Sequence, residues 1–270
     1  MATTARAETV TAAVRPPRPA LRPLVLPTEH GGWGFLFEPI LLALIVAPSW
    51  AGGLIALAFV SGFLTRQPLK FALQDALRRK SYPRTRWCWT FAGAYAGGAL
   101  LFLGGAVALA GWKILLPLAL VGPLALIQIG YDAKNRSRAL WPELGGAIAM
   151  SSSAAAIALA DGRSMTLAFA LPAVLVARGI PTILYVRALL LRAHGQPSSP
   201  VVPLVLHASA IVATALFAPK LVVAMMVVLL VRAAWGLSHP VPPAKKIGWT
   251  EIAWGTAMVV VAAVGFLAGF

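Results

Sequence analysis

The sequence predicts an all-α membrane protein, built as a single bundle of about nine transmembrane helices. Three observations lead to this fold class. Hydrophobic residues make up 59% of the 270 residues, and the mean hydropathy is +0.81. Runs of about 18 apolar residues, the length that a membrane-crossing helix needs, recur along the chain. Basic residues gather between alternate runs, as they do on the cytoplasmic side of membrane proteins.

The chain divides into a tail and one transmembrane domain. Residues 1–26 are rich in Ala, Pro, Thr and Arg and lack the apolar core of a secretory signal, so we expect a disordered basic cytoplasmic tail. Residues 27–270 form the transmembrane domain. Nine spans are predicted within it, at 31–47, 50–66, 88–110, 112–130, 142–160, 164–182, 201–218, 219–236 and 250–270.

Basic residues give the predicted orientation. With these nine spans, twenty of the 23 Lys and Arg residues fall on one side of the bilayer, and only Lys113, Arg163 and Lys220 fall on the other. Lys and Arg favour the cytoplasmic side, so the N-terminus is predicted inside and the C-terminus outside, in the cell membrane. The net charge of +15 therefore belongs to one membrane face, facing lipid head groups, and does not indicate a nucleic-acid partner.

Glu38 is an acid inside the first predicted span, where an unpaired charge is costly. His30, Gly34 and Glu38 follow one another at four-residue spacing and share one helix face. Two interpretations stay open. Glu38 forms a pair with His30 or a site for a polar ligand, or it is a protonated acid bonded to a neighbouring helix. His207, alone in an apolar span, is read as a hydrogen-bonded core residue.

The connection at residues 66–86 carries seven basic residues and one acid, Asp75. On a helix, Asp75 can pair with Arg78 or Arg79, and Asp132 can pair with Arg136 in the same way. Several guanidinium groups would then lack partners. Because planar guanidinium groups match phosphate and carboxylate oxygens, arginines that converge from different helices would form an anion site.

The sequence therefore predicts a cationic pocket at the cytoplasmic mouth of the bundle, for a phosphate or diphosphate head group. The candidate anion-binding residues are Lys70, Arg84, Arg136, Arg138, Arg178 and Arg187. The candidates for orienting them or lining the pocket with polar groups are Glu29, His30, Glu38, Asp75, Asp132, Glu143 and Thr182. No metal-binding or catalytic residue is assigned.

The order of these elements resembles the UbiA-type prenyltransferases, which transfer a prenyl group from an isoprenoid diphosphate with Mg²⁺ held by two aspartate-rich motifs. The first motif, Asn-Asp-x-x-Asp-x-x-x-Asp, falls here on Gln67, Pro68, Phe71 and Asp75, so one aspartate remains. The second motif has no acid around RGIPTILYVRALLLRAHG. The resemblance implies a Mg²⁺ cofactor. Because Mg²⁺ prefers carboxylate and phosphate oxygens and most of the aspartates of the two motifs are missing, the residues present here disfavour it.

A closer resemblance is to the YwiC-like family of bacterial integral membrane proteins, over most of residues 27–270. It rests on PTEHGGWGFLFEP, PLKFALQDALRRKSYPRT, RSRALWPELGGAIAMS and RGIPTILYVRALL. The resemblance implies the architecture and brings no established activity with it.

Three functions are consistent with the predicted pocket. A divergent UbiA-like enzyme would hold an isoprenoid diphosphate with guanidinium groups in place of metal. A transporter would carry a small anion through the same pocket. A non-catalytic protein would bind anionic lipid or assist assembly. In all three cases the protein lies in the lipid bilayer. The fold alone does not choose among them.

Overall fold

The computed structural model describes residues 22–27 and 30–269, with the side chains of Arg22 and His30 left out. Residues 1–21, most of the predicted disordered tail, and Glu29 lie outside this part of the chain. Within it the protein is all-α, as predicted. The helices are α1 (Arg22–Val25), α2 (His30–Val46), α3 (Trp50–Leu77), α4 (Pro83–Ala110), α5 (Leu116–Ala133), α6 (Leu140–Ala160), α7 (Met165–Ala193), α8 (Val201–Ala215), α9 (Lys220–Ser238) and α10 (Ala244–Ala268).

Each of the nine predicted spans overlaps one of the helices α2 to α10. Six of these, α4 to α7, α9 and α10, are long and apolar enough to cross a membrane, counting a short 3₁₀ turn at Trp112–Leu115 with α5. Helices α2 and α8 are apolar but shorter, and α3 carries Arg66, Lys70 and Asp75 in its second half. The helices identify a multi-pass membrane protein, and the count of nine spans stays a prediction.

Helix α3 is longer than the predicted span at 50–66. It begins with Ser49, whose hydroxyl accepts a hydrogen bond from the amide of Gly52, and it continues through Pro68 to Leu77. The extra eleven residues add about 16 Å of helix at the usual rise. Helix α4 then starts at Pro83, where the missing amide hydrogen costs nothing. The two helices pack against each other along their length. Most of the predicted charged connection at 66–86 is therefore helical, because its first part extends α3 and its last part begins α4.

Helix α6 lies in the centre of the bundle and packs against α2, α3, α5 and α7. Its segment from Ser151 to Ala158 is buried throughout. Small side chains on this helix let neighbouring backbones approach closely, as is common between membrane helices. Large apolar residues from the surrounding helices complete the core, among them Leu36, Ile55, Leu171, Leu229 and Met258.

The ends of the helices that carry charge meet at one end of the bundle, which we call the charged end. It contains the first turns of α2, α6 and α10 and the last turns of α3, α5 and α7. Long-range bonds connect these helices near the charged end, including Arg66 of α3 to Asp132 of α5 and Arg187 of α7 to Glu143 of α6. At the opposite end, Arg163 donates to the carbonyl of Val46 at 3.0 Å.

Candidate functional site

Two adjoining cavities open at the charged end. The first, the outer cleft, has a volume of about 340 Å³ and lies among α2, α3, α5, α6 and α7. Arg66, Arg138 and Arg187 line it together with Glu143. Its apolar lining includes Phe35, Phe63, Ala147 and Met150. The cleft therefore offers both guanidinium groups and hydrophobic surface to one ligand.

Arg66 forms a bidentate ion pair with the buried Asp132. Its Nε lies 2.6 Å from Oδ2 and its Nη2 lies 3.2 Å from Oδ1. The predicted pairing of Asp132 with Arg136 is wrong, because α5 ends at Ala133 and Asn135 has a φ of +56°. The chain leaves the helix before Arg136, so the spacing of four residues no longer places the two side chains on one helix face.

Glu143 and Arg187 form the next pair, between the start of α6 and the end of α7. Arg187 Nη1 donates to Glu143 Oε2 at 2.8 Å and to the carbonyl of Arg138 at 3.1 Å. The guanidinium of Arg138 is exposed and forms no ion pair or hydrogen bond among the described residues. Arg187 thus holds the loop that carries Arg138 beside the cleft, and Arg138 keeps its donors for another partner.

Asp75 is completely buried at the end of α3, outside the predicted span. Arg84 Nη2 donates to Asp75 Oδ1 at 3.0 Å, and the hydroxyl of Thr85 donates to Oδ2 at 2.7 Å. The predicted direct pairing with Arg78 or Arg79 is wrong, because α3 ends at Leu77 and Arg79 has a φ of +52°, and Arg78 acts on Asp75 through its charge alone. Burial alone would raise the pKa of Asp75, but the hydrogen bonds from Arg84 and Thr85 and the positive charges of Arg84 and Arg78 lower it below its ordinary value.

Replacing Asp75 by Asn should cost about 1–2 kcal/mol of folding stability, a range reduced from that of fully buried charged hydrogen bonds because its partner Arg84 is partly exposed. Since the folded pKa of Asp75 is lowered, its contribution should be complete above about pH 4 and be lost as the pH falls through the folded pKa. The measurement is unfolding in detergent as a function of pH. If the wild type and the Asn variant lost stability in parallel on acidification, Asp75 would not be the responsible group.

The second cavity, the inner chamber, has a volume of about 250 Å³ and lies among α2, α6, α7 and α10. Glu38, Arg178, Thr182 and Glu251 line it, together with Glu143. Arg178 Nη1 donates to Glu38 Oε2 at 2.5 Å, and Nη2 donates to the carbonyl of Glu251 at 3.3 Å. The partner that Glu38 required is therefore an arginine on α7.

A second ion pair continues the polar layer behind the chamber. Arg232 of α9 pairs with the side chain of Glu251, and its guanidinium lies 4.3 Å from the ring centre of Tyr185. His207 lies edge-on to the Tyr185 ring, and its Nδ1 lies 2.8 Å from the carbonyl of Pro203. The buried, hydrogen-bonded state expected for His207 is confirmed.

The predicted site residues distribute unevenly between the two cavities. Arg138, Arg187 and Glu143 line the outer cleft, while Glu38, Glu143, Arg178 and Thr182 line the inner chamber. In the described part of the chain, neither cavity is lined by Lys70, Arg84, Arg136, Asp75 or Asp132. Lys70 donates to Ser137, a residue of the cleft, at 3.0 Å. Glu29 and the side chain of His30 lie outside the described residues. The binding roles of all these residues stay predictions.

Three charged residues of these cavities and pairs were missed by the sequence reasoning: Arg66, Arg232 and Glu251. A usable signal existed, because Arg232 and Glu251 each interrupt an apolar helix, which ordinarily marks a paired or functional residue in a membrane protein. Over the described residues, no group of three or more His, Cys, Asp and Glu side chains is placed to hold a metal ion.

Residues 26–158 match the family model described as YwiC-like protein. The matched region begins just after α1 and ends within α6, so it includes Glu38, Arg66 and Glu143, whereas Arg178, Arg187 and Glu251 follow it. No curated protein and no solved structure matches the chain. The predicted resemblance to the YwiC-like family is confirmed over the matched residues, and the UbiA-type resemblance stays a prediction.

Proposed function

We propose, from the geometry of the charged end, that this membrane protein binds an anionic amphiphile in the outer cleft. The anionic group is a phosphate or diphosphate, and the apolar part is a lipid or isoprenoid chain. One observation carries the proposal. Arg66, Arg138 and Arg187 come from separate segments of the chain and meet at one cleft that also has aromatic and aliphatic lining.

The charge of the cleft favours an anion, though by a small margin. Asp132 offsets Arg66 and Glu143 offsets Arg187, which leaves the charge of Arg138 in excess among the described residues. Charge-assisted bonds from guanidinium groups to phosphate oxygens are about twice as strong as neutral hydrogen bonds. Such a site can hold one phosphate without leaving a large uncompensated charge.

The size and lining of the cleft favour an amphiphile over a bare ion. A volume of about 340 Å³ exceeds what a phosphate requires, and Phe35, Phe63 and Met150 supply surface for methylene groups. We therefore place lipid or isoprenoid binding ahead of small-anion transport. The divergent prenyltransferase, the nine spans and the cytoplasmic location of the charged end remain proposals drawn from the sequence.

Arginine replacements two positions apart test the binding site. Arg138→Met should weaken binding of phosphatidylglycerol to the purified protein about tenfold, as expected for the loss of one charge-assisted contact. Arg136→Met is the matched control, because Arg136 is exposed in the same loop but does not line the cleft. Its affinity should stay within about twofold of the wild type. Titration of lipid into detergent-solubilised protein, followed by tryptophan fluorescence, measures both.

Two results would contradict the proposal. If both replacements weakened binding equally, the effect would be surface attraction between basic residues and anionic head groups. If inorganic phosphate alone bound as tightly as the lipid, the apolar lining would make no contribution, and the ligand would be a free anion.

A further inference from the structure

The inner chamber differs from the outer cleft in the charge of its lining. Glu38, Glu143 and Glu251 line the chamber together with one guanidinium, that of Arg178. Arg178 already pairs with Glu38. The guanidinium groups that pair with Glu143 and Glu251 belong to Arg187 and Arg232, which do not line the chamber in the described part of the chain. The chamber lining therefore presents three carboxylates and one guanidinium, and each carboxylate is in an ion pair.

Unpartnered polar atoms show that the chamber is equipped for a ligand. Thr182 Oγ1, Arg178 Nε and Glu251 Oε2 are buried and form no hydrogen bond among the described residues. Thr182 and Arg178 are only 5% and 3% exposed. The hydroxyls of Thr65, Thr90 and Thr214 each donate to a carbonyl of their own helix four residues earlier. Thr182 departs from this pattern, so its hydroxyl is left for another partner.

The two cavities meet at shared residues. Phe35, Glu143, Val186 and Leu190 line both. Arg187 lines the cleft and donates a hydrogen bond to Glu143, which lines both the cleft and the chamber. The lining therefore changes at Glu143, from mainly arginine in the cleft to mainly glutamate in the chamber.

We propose that the cleft and the chamber together bind a zwitterionic head group, with its phosphate in the outer cleft and its primary ammonium in the inner chamber. The inference rests on the proposed function, because it needs the phosphate to lie in the cleft. A primary ammonium carries three N–H donors, and Glu251 Oε2, Thr182 Oγ1 and Glu143 offer acceptors. A trimethylammonium has the same charge but no N–H donor, so it would leave these atoms unpartnered.

Lipids that differ in one group test this inference on the full chain in detergent. Phosphatidylethanolamine should bind about tenfold more tightly than phosphatidylcholine, which lacks N–H donors, and than phosphatidylglycerol, which lacks the positive charge. Soluble phosphoethanolamine and glycerol phosphate form the second arm. A preference for phosphoethanolamine over glycerol phosphate identifies a water-soluble ligand, and a preference seen only with the lipids identifies a membrane ligand.

Thr182→Val and Glu251→Gln should reduce the preference for phosphatidylethanolamine to about twofold or less while leaving phosphatidylglycerol binding unchanged. Thr256→Val is the control, because the hydroxyl of Thr256 donates to Ile252 in its own helix. Where Glu251→Gln fails to fold, Thr182→Val and the wild-type comparison decide the question.

The outcomes separate the two proposals. Equal binding of the three lipids, weakened by Arg138→Met, overturns the ammonium site and keeps the anion site. A preference that persists in both variants also overturns the ammonium site. No binding of any of these lipids or soluble head groups overturns both.

Discussion

Replacing Arg178 by Met should lower the free energy of unfolding by about 3–5 kcal/mol, the cost of breaking a buried ion pair from one side. Arg178 is 3% exposed and pairs with Glu38, so the replacement leaves a carboxylate in the bundle without its cation. It also removes the bond to the carbonyl of Glu251. Unfolding of the purified protein in detergent, by heat or denaturant, measures the loss.

A second replacement separates lost packing from an unpaired charge. In the double variant Glu38→Gln with Arg178→Met, no isolated carboxylate remains at this pair, so at least half of the lost stability should return. Arg86→Met is the matched control, because Arg86 is exposed at the start of α4, and its effect should stay within about 0.5 kcal/mol. A double variant as unstable as Arg178→Met alone would show that Arg178 acts through packing.

The sequence predicts that Glu38 needs a partner, but it cannot identify that partner. An acid within an apolar helix is costly unless it is paired, so its position alone indicates an interaction. Arg178 lies 140 residues further along the chain. Only the packing of α2 against α7 brings the two together, and packing between distant helices leaves no local spacing in the sequence.

The incorrect pairings of Asp75 and Asp132 have a common cause. Both predictions assume that a helix continues for four residues past the acid. Instead, α3 ends two residues after Asp75, and α5 ends one residue after Asp132. A residue with a positive φ follows each helix end, Arg79 after α3 and Asn135 after α5. Sequence patterns locate the ends of helices less precisely than their middles. An error of one or two residues at an end changes which side chains near that end can pair.

The predicted cationic pocket becomes two cavities of different charge for a related reason. Counting basic residues locates the charged end, because charge accumulates on one side of the membrane whatever the packing. It does not reveal which carboxylates neutralise which arginines. Arg178 was assigned to an anion, yet it pairs with Glu38, and Arg66 was left unassigned although it lines the cleft. Only the three-dimensional arrangement separates a cleft lined mainly by arginines from a chamber whose charged lining is mainly glutamate.

Replacing Gly255 by Ala should cost about 2–3 kcal/mol, in the upper range for overpacking a buried site. Gly255 is buried on α10, and a methyl group there would overlap the carboxylate of Glu38 and lie 3.1 Å from Arg178 Nη2. A carboxylate on a flexible chain could usually move aside. Here it is bonded to Arg178, so movement lengthens the ion pair.

Two comparisons distinguish this clash from a general effect of the substitution. Gly248→Ala, on the same helix, places its methyl group where nothing lies within 4 Å. It should stabilise the protein by about 0.5–1 kcal/mol, because alanine favours helix. In a Glu38→Ala, Arg178→Met background, the overlapping carboxylate is gone, so Gly255→Ala should then cost less than about 0.5 kcal/mol. If the cost stayed at 2–3 kcal/mol in that background, the glycine would be needed for contacts other than Glu38, and the ion pair would not depend on the close approach of α10.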